Sequence, residues 1–141
     1  FPVISDDSGL CIKALNGNPG IYSARMAKRY GSFFKAMQII LKKMKNKKNR
    51  SATFVCSLSF KYPRGKMVTV VGKIKGLISH KILGTKGFGY DPIFIPNKKT
   101  ITFGQMPKFK KIIMDHRYIA FKKLKRKVKI LWICYLQLYK Y

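Results

Sequence analysis

The sequence predicts an α/β fold, and three patterns of apolar residues support this class. Across residues 22–44, apolar side chains recur every three or four positions, which predicts helix with a break at Gly31. Across residues 52–60 and 67–78, apolar and polar side chains alternate, which predicts two strands. The turn-forming residues between these strands favour an antiparallel hairpin. A last helix is predicted after residue 115.

The bulk composition fits one folded domain. The chain has 141 residues, of which 47% are hydrophobic, enough for a sizeable core. Its formal net charge of +27 predicts attraction to polyanions, such as nucleoside triphosphates, nucleic acid or an anionic membrane surface. The three cysteines, Cys11, Cys56 and Cys134, are far apart and suggest neither a disulfide framework nor a zinc site. A reducing, cytoplasmic setting is therefore expected.

Residues 5–9, Ser-Asp-Asp-Ser-Gly, form the acidic segment of a very basic chain. The sequence has 31 Lys and Arg but only four acids, and Asp6 and Asp7 are adjacent. The preceding apolar residues predict the end of a strand, so the acids are expected in a turn at its C-terminal end, before a further short strand over residues 10–15. Adjacent carboxylates repel unless a cation relieves them, and Mg²⁺ prefers such oxygen ligands. A solvated turn without chemistry is the alternative.

Residues 42–50 contain six basic side chains and are expected to form a solvated loop. The alternative is a nucleic-acid patch. We favour the loop because the sequence places no aromatic residue nearby on which a base could stack.

Residues 84–92 combine three glycines with Phe88 and Tyr90. Glycines let backbone N–H groups approach an anion, and exposed aromatic rings would offer faces for base stacking. Asp91 lies beside Pro92 in the same segment, and a short strand is predicted over residues 93–95. In the alternative interpretation the aromatic residues fill the core.

The start of the last helix carries a candidate recognition cluster. Asp115 is predicted to be the N-cap. His116 shares one helical face with Ala120, Leu124 and Val128, so it is expected to point inward. Such a histidine is usually a core residue. With Lys111 and Arg117 close in sequence, it is also a candidate for binding anionic or carbonyl oxygen.

Four blocks of the sequence resemble the inosine triphosphate pyrophosphatase family, which removes non-standard purine triphosphates. The resemblance covers residues 1–128. The blocks are Ser5-Asp6-Asp7-Ser8-Gly9-Leu10, Leu15-Asn16-Gly17-Asn18-Pro19-Gly20-Ile21-Tyr22-Ser23-Ala24-Arg25, Gly87-Phe88-Gly89-Tyr90-Asp91-Pro92-Ile93-Phe94, and Lys111 with His116-Arg117.

The resemblance implies an elongated mixed β-sheet flanked by helices, with two lobes and a nucleotide cleft. Residues 1–128 would form this domain, and residues 129–141 a basic, aromatic tail. It further implies a homodimer and Mg²⁺-dependent cleavage between the α- and β-phosphates of ITP, dITP and XTP, giving the monophosphate and pyrophosphate. No specific nucleic-acid partner and no transmembrane segment are expected.

The resemblance also implies roles for individual residues. Asp7 resembles the general base and a metal-associated carboxylate, and Asp6 resembles a second metal-associated carboxylate. Ser8 resembles a substrate contact. The nucleotide-binding loop would be Phe88, Gly89, Tyr90 and Asp91. The cluster that recognises the purine base would be Lys111, His116 and Arg117.

The chain departs from the family pattern at its N-terminus. It begins with Phe just before the acidic segment, so we expect the family's first strand, its phosphate-gripping loop and a metal-associated Glu to be missing. The alternative function is therefore a catalytically inactive basic remnant that binds polyanions by charge alone. Association of the basic tail with a membrane surface is a further alternative.

Overall fold

The computed structural model describes residues 1–128 as one five-stranded sheet with helices packed against it. The strand order is β2-β1-β3-β4-β5, and every strand pair is antiparallel. The strands are β1 (Val3–Ile12), β2 (Pro19–Gly20), β3 (Ser51–Lys61), β4 (Met67–Ile78) and β5 (Phe94–Pro96). The helices are α1 (Ser23–Arg29), α2 (Phe33–Lys43), α3 (Lys108–Lys111) and α4 (His116–Lys127).

The predicted α/β class and the β3–β4 hairpin are confirmed. The described sheet is antiparallel throughout, whereas the family resemblance implied a mixed sheet. The β3–β4 register is continuous from Ser51↔Leu77 to Lys61↔Met67. Gly72 allows close approach of two backbones, because a Cβ there would collide with the carbonyl oxygen of His116.

The acidic segment lies within a strand, so its prediction as a turn is wrong. β1 runs unbroken from Val3 to Ile12 and pairs along its whole length with β3. Local composition suggested a turn, but β3 satisfies the backbone hydrogen bonds of this segment from about 50 residues away. The strand predicted over residues 10–15 is the end of β1 followed by a short 3₁₀ turn, Lys13–Leu15.

The two predicted N-terminal helices are confirmed. Gly31 separates them at a φ of 84°, a conformation that favours glycine. Ser32 then caps α2 by accepting a hydrogen bond from the Lys35 amide at 3.1 Å. The basic loop beyond α2 is largely exposed, as expected. Its last residue, Arg50, is different, because its guanidinium donates to the carbonyl oxygens of Ile78 and Ser79 at 2.6 Å each.

The start of α4 also matches its prediction. Asp115 caps the helix, because its carboxylate accepts a hydrogen bond from the Tyr118 amide at 2.8 Å. The expected inward face is buried along its length: His116, Ala120, Leu124 and Val128. Ala120, Leu124 and Val128 pack on Cys56, Leu58, Phe60 and Val70 of β3 and β4. His116 lies against Phe54 of β3.

The buried core has two parts on the same face of the sheet. The larger part joins β1 and β3 to α2 and to the segment around β5: it includes Leu10, Ile12, Met37, Ile40, Phe54, Phe94 and Phe103. The smaller part lies under α4 and includes Cys56, Leu58, Phe60, Val70 and Leu124. None of the helices within residues 1–128 combines the length and the apolar character needed to cross a membrane.

Candidate functional site

Asp6 and Arg117 connect β1 to the start of α4. The Arg117 Nε donates to Asp6 Oδ2 at 2.7 Å. Ser8, two residues along the same face of β1, donates its hydroxyl to Asp6 Oδ1 at 2.7 Å. Burial alone would lower the pKa of Arg117, but the Asp6 carboxylate raises it. The guanidinium is therefore charged and held in one place at the edge of the sheet.

Asp7 lies on the other face of β1. Neighbouring side chains of a strand point to opposite faces, so Asp7 points away from Asp6 and α4. It is exposed and lies opposite Ser57 of β3. The strand therefore separates the two carboxylates, and the metal-associated roles of Asp6 and Asp7 stay a prediction.

Lys111 and Asp91 form a buried ion pair between α3 and the glycine-rich loop, residues 84–92. The Lys111 Nζ lies 2.9 Å from Asp91 Oδ2, and the two side chains are 11% and 2% exposed. Asp115 provides a second carboxylate, at 3.6 Å. Burial raises the pKa of Asp91, while Lys111 and the Phe88 amide act against that change. The pair fixes the loop against α3.

The glycine-rich loop is a turn closed by its own aspartate. The Phe88 amide donates to Asp91 Oδ2 at 2.6 Å. At Gly87, whose φ is 81°, any Cβ would collide with this carboxylate. The Phe88 ring is 62% exposed and packs edge-on against Phe33 at 5.1 Å. Phe88 therefore presents the aromatic face that the sequence predicted.

Tyr90 does not present such a face. It is only 2% exposed, and its hydroxyl donates to the Ser23 carbonyl at 2.8 Å. The expectation of an exposed Tyr90 is wrong, and the alternative, a core residue, holds for this position. Its hydroxyl finds a buried backbone acceptor that lies 67 residues away in sequence.

His116 is a buried, neutral imidazole. Its ring stacks on Phe54 with centroids 4.8 Å apart and an interplanar angle of 10°. Burial lowers its pKa to about 3, and the nearby charges of Arg117 and Lys111 act in the same direction. Its Nδ1 is buried and has no hydrogen-bond partner among the described residues. A neutral imidazole carries one donor and one acceptor, so it can read a polar group of a ligand.

This buried histidine predicts a loss of stability in mild acid. An unfolded histidine binds a proton near pH 6.5, whereas folded His116 does so only near pH 3. Its contribution is therefore complete above pH 6.5 and is lost as the pH falls below that value. Between pH 7 and pH 5 we expect a cost of about 2 kcal/mol in the free energy of unfolding.

Urea unfolding of three proteins at both pH values measures this contribution. His116→Phe keeps a flat ring against Phe54 and should reduce the pH dependence by about 2 kcal/mol. His80→Phe is the matched control, since His80 is exposed, and it should leave the pH dependence unchanged. An equal pH dependence in wild type and His116→Phe would contradict the neutral, buried imidazole.

The residues present offer only part of a metal site. Within residues 1–128, no three His, Cys, Asp or Glu side chains lie close enough to hold a metal ion. Asp7 supplies one exposed carboxylate. Mg²⁺ is commonly held by one or two carboxylates together with substrate phosphates and water. Asp7 therefore fits one ligand position of such an ion, and the described chain does not form a complete cage.

Several partners in this site could not be found from sequence patterns. Phe33 packs against both Phe88 and Tyr90, but sequence spacing placed it only in the apolar stripe of a helix. Phe54 stacks on His116 from a strand 62 positions earlier. The sole sequence signal for both contacts is the aromatic character of the residues, which is equally typical of core positions.

Comparisons with known proteins now identify the family. The Ham1 family model matches residues 1–127. The chain belongs to the Ham1 family. A dITP/XTP pyrophosphatase of Caulobacter vibrioides is 42% identical over 127 residues, covering 89% of this chain and 66% of the relative. One of Dictyoglomus thermophilum is 43% identical over 129 residues, covering 89% and 62%.

Solved structures give the same result. The Staphylococcus aureus Ham1 protein is 40% identical, with a TM-score of 0.85, and the match covers 91% of this chain and 67% of that one. A Coxiella burnetii HAM1 protein is 30% identical, with a TM-score of 0.83, covering 92% and 68%. The resemblance seen in the sequence is thus confirmed. The chain spans 66% of the length of the Caulobacter vibrioides relative and 62% of the length of the Dictyoglomus thermophilum relative.

Proposed function

We propose that this Ham1-family chain hydrolyses non-standard purine nucleoside triphosphates, namely ITP, dITP and XTP, to the monophosphate and pyrophosphate. The observation that carries the proposal is the meeting of three distant segments around α4. Arg117 pairs with Asp6 of β1, and Lys111 pairs with Asp91 of the glycine-rich loop. These two ion pairs bring the base-recognition and nucleotide-binding residues implied by the family resemblance to one part of the molecule.

Selection of the base would depend on hydrogen-bond donors. A 6-oxo purine presents an acceptor where adenine presents an amino donor. Arg117 and Lys111 carry only donors, and those not bonded to Asp6, Asp91 or Asp115 would pair with the 6-oxo group. Against adenine these remaining donors would lack an acceptor. His116, neutral at pH 7, could add one donor or one acceptor beside them. The groups that recognise the base would then already be in position before the substrate binds.

The glycine-rich loop would supply stacking rather than charge. Phe88 is the exposed aromatic residue of this loop and would lie against the purine ring. Gly89, at a φ of 65°, shapes the backbone beside it. Asp91 is buried and bonded to Lys111 and to the Phe88 amide, so we assign it to holding the loop. Tyr90 would also hold the loop, because its hydroxyl donates to the Ser23 carbonyl.

Hydrolysis would depend on Asp7. Its exposed carboxylate is the candidate general base, which would orient a water molecule and take its proton during attack on the phosphoanhydride. Mg²⁺, when bound, would neutralise charge on the phosphates and stabilise the leaving pyrophosphate. Ser8 shares the face of Asp6, to which its hydroxyl donates, and is proposed to contact substrate from that face. Asp6 is proposed to position Arg117, since its carboxylate points away from Asp7.

Product analysis tests the reaction type. Phosphorus NMR of ITP incubated with the full chain and Mg²⁺ should show inorganic pyrophosphate and the monophosphate appearing together. Inosine diphosphate with inorganic phosphate would mean cleavage at the terminal anhydride and would contradict the proposal.

A cytoplasmic location and a homodimer are further parts of the proposal. The family resemblance supports both, and the free thiols of Cys11 and Cys56 support the location.

Arg117→Ala is expected to reduce the preference for ITP over ATP by about ten-fold or more. The reason is that a lost hydrogen bond to a charged donor is typically worth about 1.5–3 kcal/mol. Rates with both nucleotides should be compared for wild type, Arg117→Ala and Arg126→Ala. Arg126 is an exposed arginine on the same helix, so its replacement controls for the charge change. An unchanged preference in Arg117→Ala would remove Arg117 from base recognition.

A further inference from the structure

An open pocket that the proposed catalytic site does not use lies between α1, the end of α2 and the turn before β2. Its volume is about 600 Å³. Six of its lining residues are basic or aromatic: Arg25, Arg29, Lys43, Lys47, Tyr22 and Tyr30. None of the residues assigned to catalysis or base recognition lines it. The pocket is therefore a separate candidate site.

The four cations of this pocket have no acid among them. Of the four acids in the sequence, three are committed elsewhere, Asp6 to Arg117 and both Asp91 and Asp115 to Lys111. The fourth, Asp7, lies on β1 and does not line the pocket. All four cations are exposed. Their mutual repulsion is relieved by a bound anion, so the pocket favours a phosphate-bearing ligand.

The pocket also supplies the aromatic faces that the sequence of the basic loop lacked. Tyr22 is 52% exposed, and the Arg25 guanidinium lies 5.4 Å from the centre of its ring. Folding brings this tyrosine and Tyr30 into one pocket with Lys43 and Lys47, which follow them in sequence by 13 to 25 residues. Cations and aromatic rings are the two elements that single-stranded nucleic-acid sites combine.

The basic surface extends beyond the pocket. Lys45 and Lys48 follow Lys43 along the chain and are exposed as well. A charged strip that continues past one pocket suits a ligand with several phosphates in a row better than a single nucleotide. We propose that the pocket and strip bind single-stranded nucleic acid without sequence preference. Its phosphates would lie against the cations, and one base would stack on Tyr22.

A salt titration with matched variants tests this proposal. The binding of a fluorescent oligothymidylate of about 20 nucleotides to the full chain is measured by anisotropy, without Mg²⁺. We expect Lys43→Gln/Lys47→Gln to weaken binding about ten-fold or more. It should also lower the slope of log affinity against log salt by about 1.4, since each phosphate contact on a single strand contributes about 0.7.

Lys98→Gln/Lys99→Gln is the matched control. It removes the same charge from an exposed turn after β5, at the opposite edge of the sheet from β2. It should change affinity less than two-fold. Equal losses in the two double variants would overturn the proposal, because net charge alone would then explain binding. Binding to phosphatidylserine-containing vesicles with none to the oligonucleotide would also overturn it.

Two further measurements separate this site from the nucleotide site. Tyr22→Leu should weaken oligonucleotide binding several-fold and leave the salt slope unchanged, because the lost contact is stacking and not charge. An unaltered affinity would exclude Tyr22 as the stacking platform and overturn that part of the proposal.

Saturating ITP should not displace the oligonucleotide. Displacement would place the strand in the catalytic cleft and overturn the separate site, while the proposed hydrolysis would stand.

Discussion

Replacing Asp7 with Asn is expected to reduce turnover of ITP by about 10²-fold or more, the usual contribution of a positioned general base. The substitution keeps the shape of the side chain and removes its ability to take a proton. Asp7 is exposed on β1, so the fold should be unaffected and the thermal unfolding midpoint unchanged. Initial rates of pyrophosphate release at saturating Mg²⁺ measure the effect.

Asp6→Asn is the informative comparison, because it alters the adjacent carboxylate on the opposite face of the same strand. Asp6 holds Arg117 at 2.7 Å, so this change should lower the preference for ITP over ATP more than the rate. Retained turnover in Asp7→Asn would contradict the general-base assignment. Equal loss of rate in both variants would contradict the separation of roles that β1 imposes.

Lys111→Met is expected to destabilise the protein by about 3–5 kcal/mol. Removing one partner of a buried ion pair leaves the other charge without compensation. Here the carboxylate left behind is Asp91, whose side chain is 2% exposed. The denaturant concentration at the unfolding midpoint, measured at pH 7 by far-ultraviolet circular dichroism, should be lower than in wild type.

Two further variants show whether the buried charge is the cause. Lys110→Met changes an exposed neighbour on the same helix and should cost less than about 0.5 kcal/mol. Adding Asp91→Asn to Lys111→Met removes the stranded charge and should restore part of the stability. A Lys111→Met protein as stable as wild type would contradict the ion pair as a fixed element of the site.

Local patterns in the sequence predicted much of the fold. The alternation in β3 and β4 is visible because one face of each strand is buried and the other is not. Asp115 was recognised as a cap because its role depends only on the three residues that follow it. The inward face of α4, from His116 to Val128, was read from helical spacing alone.

The errors share one physical cause, which is contact with distant residues. Asp6 and Asp7 were expected in a turn, but pairing with β3 keeps them extended and places them on opposite faces. Tyr90 was expected at the surface, but the carbonyl of Ser23 gives its hydroxyl a buried partner. No local pattern reveals either partner, so the separation of the two carboxylates had to come from the structure.

The basic loop, residues 42–50, also has neighbours that its local sequence does not reveal. Its lysines were interpreted as solvated because no aromatic residue is near them in sequence. The fold places Tyr22 and Tyr30 of the α1 region beside Lys43 and Lys47. The family resemblance did not predict this pocket either, because the catalytic residues that it implies lie elsewhere.

The proposed base-selective hydrolysis is measured by pyrophosphate release from ITP by the purified full chain, with ATP as the comparison. We expect release that requires Mg²⁺, is faster with ITP than with ATP, and is lost in Asp7→Asn. A folded sample that releases no pyrophosphate from ITP, or that releases it equally from ATP, would contradict the proposal that residues 1–128 carry a working, base-selective site.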